Sequence, residues 1–457
     1  MNQSRGRGRP ELVRARQRRG LSQEAAAEAI GVSATTWARW ERGEQGVRAV
    51  YRARIAELWQ VPAEEVERWL QTDPREAVIV SPLGEDVAGP PSAAMEAARR
   101  LWRWEMDASR RHTLAALPFV PAMLGEWLLS WSYDIREGSA AQHGPGPAVG
   151  MTDVQRVHEA HQAFTQMDHQ FGAGLVRPAV TDFMNYTLAP LLRGSYTEQV
   201  GAELLTAAAR MTRLAGWMAF DLGHQGQAQQ HFGQALRLAK AADDAMTAAW
   251  VLATLAQQAC DLGQGRWALR LARAAADAGR QAQASPRMMA QLLVRQARAV
   301  AVEADGADQR DRHAVRQVTA LLSEADRAFA AETSALDPAW SGPFGEAELA
   351  AEAGYCWQRV GEHQRAAQCA EEALRGFGGR FARSEQFNRV HAAEAYLALG
   401  ELEAALTFAR DAVPAAKELT SARCVAIVCG FSAKLERHRT LRQVRDFDDY
   451  LHTELAS

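Results

Sequence analysis

The feature that most limits the folds open to this chain is an internal repeat. Four stretches align: GHQGQAQQHFGQA at 223–235, GQGRWALRLARAA at 263–275, GEHQRAAQCAEEA at 361–373 and GELEAALTFARDA at 400–412. Each places Ala five residues after its first Gly and again seven further on. Helix-forming residues precede and follow each Gly. A Gly ends a helix in a left-handed turn, and small Ala side chains let two antiparallel helices approach closely. One such pair cannot bury its own apolar face, so pairs must stack. The starts lie 40, 98 and 39 residues apart, and the long interval has room for one more, degenerate pair at 286–304 and 313–331. Ser285-Pro286 suits the start of that pair, as cap and first helical residue.

The rest of the composition agrees with an all-α chain. Ala, Leu, Arg, Glu and Gln are abundant, and alternating β-branched runs are nearly absent. The one β-like run, Val78-Ile79-Val80, lies in a Pro-containing stretch at 71–92 that reads as a linker. A second break falls at 136–150. Between them, two helices broken at Pro118 and Pro121 are expected, with Trp102, Trp104, Trp127 and Trp131 serving a core or a helical dimer surface. No run of 18 apolar residues occurs, so no membrane partner is expected. The opening segment lacks the apolar stretch of a secretory signal. Five Cys form no CxxC pair, which argues for buried thiols in a reducing cytoplasm.

Charge is uneven. Residues 1–54 hold 12 Arg against five Glu, a net of +7 in a chain whose overall net charge is −3. A basic end on an acidic body implies a polyanionic partner for that end. Within it, LSQEAAAEAIGVSATTWARWERG at 21–43 carries its own punctuation. Ser22 caps a short helix, Gln23–Ile30, with Ala26, Ala27 and Ile30 on one side. Gly31 turns, Val32 plugs inward, and Ser33 caps a second helix, Ala34–Arg42, closed by Gly43. This is a helix, a turn and a helix at the spacing DNA-binding domains use. Pro10–Arg19, 47–59 and 63–70 supply three more helices. Arg39 is the one long donor on the exposed recognition face, and it suits a fork onto guanine.

Residues 9–70 closely resemble the phage-repressor-like (XRE/Cro-type) helix-turn-helix family, on the strength of RRGLSQEAAAEAIGVSATTWARWERG. The resemblance implies that Gln23 contacts the DNA backbone and an outer base. It puts Ser33, Thr35, Thr36 and Arg39 toward the groove, and Arg42 and Arg48 toward phosphates. It places Arg16 and Glu41 where some members brace the first helix against the recognition helix with a buried ion pair. The repeats resemble tetratricopeptide repeats: Gly216, Ala228, Phe232 and Ala235 match signature positions in the first unit, as do Tyr396, Ala405 and Ala412 in the last. The consensus Trp and closing Pro are missing, so the array is divergent, and another kind of α-solenoid stays open.

The expected organisation is a helix-turn-helix domain at 1–70, the linker at 71–92, a helical connecting or dimerisation region at 93–195 and the repeat array at 196–457. The fold class is all-α, a five-helix head followed by an α-solenoid. No enzyme signature is legible. GPGPAVG at 144–150 lacks the Lys-Ser/Thr ending of a phosphate loop. His158, His161 and His169 lack zinc-hydrolase spacing and read as surface or core residues. No cofactor is expected.

The architecture is similar to the peptide-responsive regulators of Gram-positive bacteria. It is also similar to actinobacterial helix-turn-helix/tetratricopeptide regulators of development and antibiotic production, through LPFVPAMLGEWLLSW, VGMTDV, MDHQFGAG and the stretch at 212–244. The resemblance implies a dimeric regulator with three partners: a double-stranded DNA operator, a second copy of itself, and a signalling peptide or small molecule. The alternative is a non-sensing scaffold that recruits a protein. Groove positions carried over from the repeats give Arg213, Trp217, Phe220, Asp221, Trp250, Gln257 and Asp261. They continue with Tyr355, Gln358, Arg359 and Glu394, and with Gln291, Arg295 and Arg298 sharing one face of the degenerate unit. The competing use of Trp217 and Trp250 is core packing.

Overall fold

In the computed structural model the described residues are 9–42, 47, 49–70, 89–135, 138–305, 312–331, 344–379 and 381–456. The expected linker lies almost wholly outside them, as do Val78-Ile79-Val80 and Arg48. The chain divides into two compact units, Met1–Glu85 and Asp86–Ser457.

The first unit packs five helices, Pro10–Gln17, Gln23–Ile30, Ala34–Glu41, Ala49–Leu58 and Ala63–Leu70. The caps act as the sequence implies. Ser22 Oγ accepts from the Ala25 N–H and Ser33 Oγ from the Thr36 N–H, both at 3.1 Å. Gly31 takes φ +77° between the two helices, a left-handed conformation that side-chain-bearing residues rarely adopt. Leu12, Ala26, Ile30, Trp37, Ile55 and Val66 form the core. An aromatic ladder runs through it: Trp40 to Trp37 and Trp37 to Trp59 at 5.7 Å, then Trp59 to Trp69 at 5.6 Å.

The second unit is a stack of antiparallel helix pairs: Glu198–Asp221 with Gln225–Ala242, Ala245–Asp261 with Gly265–Gln281, Pro286–Ala304 with Arg312–Phe329, Glu346–Arg359 with His363–Phe377, and Ala382–Leu399 with Leu402–Glu418. The third of these is the degenerate pair. A further pair, Ala422–Lys434 with Arg442–Ala456, closes the array and carries no repeat signal in the sequence. All four repeat glycines turn in the left-handed region: Gly223 at +82°, Gly263 at +67°, Gly361 at +81° and Gly400 at +85°. The paired alanines are sealed: Ala228, Ala235, Ala268, Ala275, Ala373, Ala405 and Ala412 are 0% exposed and Ala366 is 2% exposed. The array is an α-solenoid of divergent tetratricopeptide-like repeats behind an all-α head. A two-residue strand pair, Gln142–His143 with Ser195–Tyr196, is the only sheet among the described residues.

Between the expected linker and the break at 136–150 the chain forms three helices rather than two, Pro91–Met106, Ala108–Ala115 and Pro121–Tyr133. The additional break is at Asp107, whose carboxylate accepts from the Ser109 and Arg110 N–H groups and so starts a new helix there. These helices share a core with the repeats. Trp102 and Trp127 are buried in it, while Trp104 and Trp131 are half-buried under Arg110 and Lys240. Glu105 pins them to the first repeat pair: its carboxylate takes bonds from Arg177 and Gln227 at 3.0 Å and from Thr181 at 3.1 Å, and contacts His231. Burial pushes this carboxyl up, but His231 and Arg177 more than offset it and hold it down at about 2.

The close approach inside the first pair generates a test. Gly216 sits in a helix interior, where Ala is ordinarily better by roughly 0.5–1 kcal/mol. Here an added Cβ would lie 2.7 Å from Phe232 Cε1. Gly216→Ala is expected to reverse the usual sign and destabilise by ~1–3 kcal/mol. Gly216→Ala with Phe232→Leu should recover most of that loss in a urea-unfolding double-mutant cycle.

Candidate functional site

The two units carry two candidate sites. In the head, Glu41 is the hub. Its carboxylate takes Arg16 Nε at 2.5 Å and Nη2 at 3.3 Å, Gln23 Nε2 at 2.5 Å and Trp37 Nε1 at 2.8 Å. The first two helices are thereby fixed to the end of the recognition helix, which adds a bond of its own from Trp37. Burial pushes the Glu41 carboxyl up, and these donors outweigh that and leave it below the usual carboxylate range. Trp37 and Trp40 are both core residues, 0% and 1% exposed. The face opposite them presents Ser33, Thr35 and Arg39 to solvent, with Thr36 half-buried and its hydroxyl 2.8 Å from Ser33 Oγ. Arg42 is exposed at the helix end. Gln23 is the exception among the groove residues, because its amide nitrogen is held by Glu41. Its side chain braces the fold, a role the sequence reading did not give it.

In the second unit a cavity of ≈ 230 Å³ lies inside the array. The first helix of every pair contributes to its wall, and no second helix does. Arg213 and Trp217 come from the first pair, Trp250 and Gln257 from the second, and Gln291, Arg295 and Arg298 from the degenerate third. These seven are the groove positions the structure brings together. Phe220, Asp221, Asp261, Tyr355, Arg359 and Glu394 do not line the cavity. Each is engaged elsewhere: Arg359 meets Asp305, Glu394 meets Lys434 at 2.6 Å, Tyr355 lies under the Arg298 guanidinium at 3.6 Å, and Phe220 lies under Arg423 at 4.2 Å. Gln358 is likewise occupied, with His363 at 3.0 Å.

Asp221 and Asp261 belong to the device that holds the wall together. Eight side chains form an unbranched chain of alternating charge. Arg295 meets Glu352 at 2.5 Å, Glu352 meets Arg298 at 3.2 Å, and Arg298 meets Asp261 at 3.0 Å. Asp261 then meets Arg423 at 2.6 Å, Arg423 meets Asp221 at 3.8 Å, Asp221 meets Arg383 at 3.5 Å, and Arg383 meets Asp168 at 3.1 Å. The four cations and four anions come from seven helices. Burial works against these charges: Glu352 and Asp261 stay below the usual carboxylate range because the arginines beside them outweigh it, whereas at Asp221 burial outweighs Arg383 and Arg423 and pushes the carboxyl up.

The residues that sequence reasoning missed lie partly outside the repeats and partly on repeat helices, where Glu348 and Glu352 of Glu346–Arg359 also line the cavity. Asp168 and His169 lie on helix Met151–Phe171, which was expected only to connect or dimerise. Arg383, Asn388 and His391 come from Ala382–Leu399, and Arg423 from the closing pair. His161, by contrast, is a core residue. It is 3% exposed and edge-on to Trp250 at 6.2 Å.

Two histidines make the unit sensitive to acid. Burial, with help from nearby arginines, pushes His161 down to about 3. His391 is pushed down to about 4, again first by burial. Both are neutral when folded and protonate near 6.5 when unfolded, so stability is present above pH ~6.5 and falls as pH drops toward 4. Each adds a slope of up to ~1.4 kcal/mol per pH unit in that window. The thermal midpoint should drop between pH 7 and pH 5, and His161→Phe should shrink the drop.

Residues 11–69 match the model of a helix-turn-helix domain. No curated protein matches the chain. One solved structure similar to it is described as "Crystal Structure of Rap Protein Complexed with Competence and Sporulation Factor". It is 12% identical, and the match covers 66% of this chain and 90% of that one at a TM-score of 0.39.

Proposed function

We propose that this protein is a transcriptional regulator that binds a double-stranded DNA operator through residues 10–70 and senses a peptide or small molecule in its repeat array. The observation that carries the reading is the pairing of a matched helix-turn-helix domain with a cavity to which every helix pair of the array contributes. In this reading Arg39 forks onto a guanine, Ser33, Thr35 and Thr36 meet neighbouring base edges or phosphates, and Arg42 and Arg48 neutralise phosphates. Gln23 orients the recognition helix through Glu41 and offers the DNA its remaining amide oxygen or backbone.

The regulator works as a homodimer. One helix-turn-helix reads too few base pairs to find a site in a genome, and two copies reading half-sites a helical turn apart solve that. Exposed Leu129, Tyr133 and Ile135, at 60%, 79% and 84%, offer the second unit a self-association surface. A solenoid's curvature sums small rotations between neighbouring pairs. A ligand that favours one curvature therefore changes the spacing of two recognition helices held by dimerised arrays. A second reading is a DNA-bound scaffold whose repeats recruit a protein. Exposed Leu175 and Tyr186, at 67% and 71%, favour it.

Arg39→Ala should lose ~1–3 kcal/mol of discrimination at one base pair per half-site. Arg48→Ala should weaken binding to all sequences and lower the salt slope. Residues 93–457 binding the operator as tightly as the whole chain would defeat the assignment of DNA binding to the head. Light scattering should give twice the chain mass at micromolar concentration, and a monomer with and without operator would defeat the dimer. Extract from the native host should shift operator affinity; a groove ligand that leaves that affinity unaltered would favour the scaffold.

A further inference from the structure

The alternating chain of charge in the cavity wall is balanced, four cations against four anions. Arg213 stands outside it. It lines the cavity and is only 6% exposed. Among the described residues no carboxylate reaches it within ion-pair distance. Its hydrogen bond to Thr254 is a long one, Nη1 to Oγ1 at 3.4 Å, and its Nε has no partner. The guanidinium carbon lies 3.4 Å from the centre of the Trp250 ring. Burial depresses Arg213 to about 9, with Asp168 opposing that depression from a distance.

The neighbouring acids do not neutralise it. Asp168 is held by Arg383 at 3.1 Å, and Glu352 by Arg295 and Arg298. Glu348 accepts from Ser384 at 2.7 Å, and burial pushes its carboxyl up, toward the neutral form. Among the described residues the wall thus presents one cation with no ion-pair partner, its opposing charge being Asp168 beyond pairing distance. A buried charge without a counter-ion is costly, and a group kept that way in a cavity marks a functional site.

The remaining lining sets the shape of the counter-ion. Trp217, Trp250, Phe344, Phe381 and Phe387 supply aromatic surface. A cavity of about 150 Å³ is enough for benzene, so ≈ 230 Å³ accommodates a one- or two-ring body with a single acid group.

We propose that the cavity binds a small aromatic monocarboxylic acid, its carboxylate on Arg213 and its ring against Trp217 and Trp250. The inference rests on the reading of the array as a receptor and names the chemistry of its ligand. A charged hydrogen bond of this kind separates an acid from its neutral amide by a factor of about ten or more.

The test uses the full chain and calorimetry with three matched pairs: benzoate and benzamide, 1-naphthoate and 1-naphthamide, and indole-3-acetate and indole-3-acetamide. At least one acid should bind one per chain, with its amide at least about tenfold weaker. In Arg213→Met the preference for acid over amide should vanish. The unliganded chain should melt at the same temperature or higher, because an unpaired buried cation has been removed. Arg213→Lys keeps the charge and should keep the preference while binding more weakly. The inference is overturned if no acid binds, if the amides bind as well, if Arg213→Met keeps the preference, or if that variant unfolds or melts lower. The binding readout involves no DNA. Acids that fail while host extract still moves operator affinity defeat the acid and spare the receptor. Acids that bind without moving operator affinity defeat the regulatory coupling and spare the acid.

Discussion

Seven helices that are far apart in the chain converge on one alternating row of arginines and carboxylates, and the second unit is organised around it. Its outermost link, Arg383 to Asp168, joins residues 215 positions apart. Asp168, Asp221, Arg298, Glu352 and Arg383 are buried. Charges of this kind are tolerated away from water only where each finds a counter-charge in good geometry, and removing one leaves its neighbours uncompensated at a cost of about 3–5 kcal/mol. Apolar packing between successive pairs stacks a solenoid but does not say how tightly it curls. The row of charge does, because it demands that the helix before the array, the five repeats and the closing pair arrive together.

The head solves a smaller version of the same problem. Glu41, at the end of the recognition helix, is 4% exposed and is satisfied by Arg16, Gln23 and Trp37. Directional bonds fix the angle of that helix more sharply than the indole ladder beneath it can, since aromatic contacts tolerate sliding. In both units hydrophobic burial supplies the driving force, and a buried carboxylate network fixes geometry. The cavity depends on that rigidity: its aromatic walls stay apart because the first helices are tied along their charged edge while the second helices form the outer layer.

Much of this was legible in the sequence. The Gly and Ala positions announced the turns and the close approaches, since only Gly adopts the left-handed turn without strain and only a small side chain fits between helices in contact. The degenerate pair was legible from length and from the Ser285-Pro286 start. Among the cavity-lining residues, Arg213, Trp217, Trp250 and Gln257 were implied by the resemblance to tetratricopeptide repeats, and Gln291, Arg295 and Arg298 by sharing one helix face. The closing pair was not legible, because it lacks the Gly-Ala spacing. Asp168, His169, Arg383 and Arg423 were not legible either, because nothing local distinguishes a charged residue on a helix face from one bound for a partner on another helix.

The sequence by itself determined the inventory: an all-α chain, a basic helix-turn-helix head, and stacked pairs with a polar, arginine-rich inner face. Those properties are local, written in caps, periods and side-chain sizes. Only the tertiary structure decided which charges cancel. It assigned Asp221 and Asp261 to the wall's ion chain, placed Phe220 and Tyr355 beneath arginines, and left Arg213 without an ion-pair partner among the described residues. Electrostatic compensation depends on distances of a few ångströms between residues tens to hundreds of positions apart. It is therefore a property of the folded array and not of any segment within it.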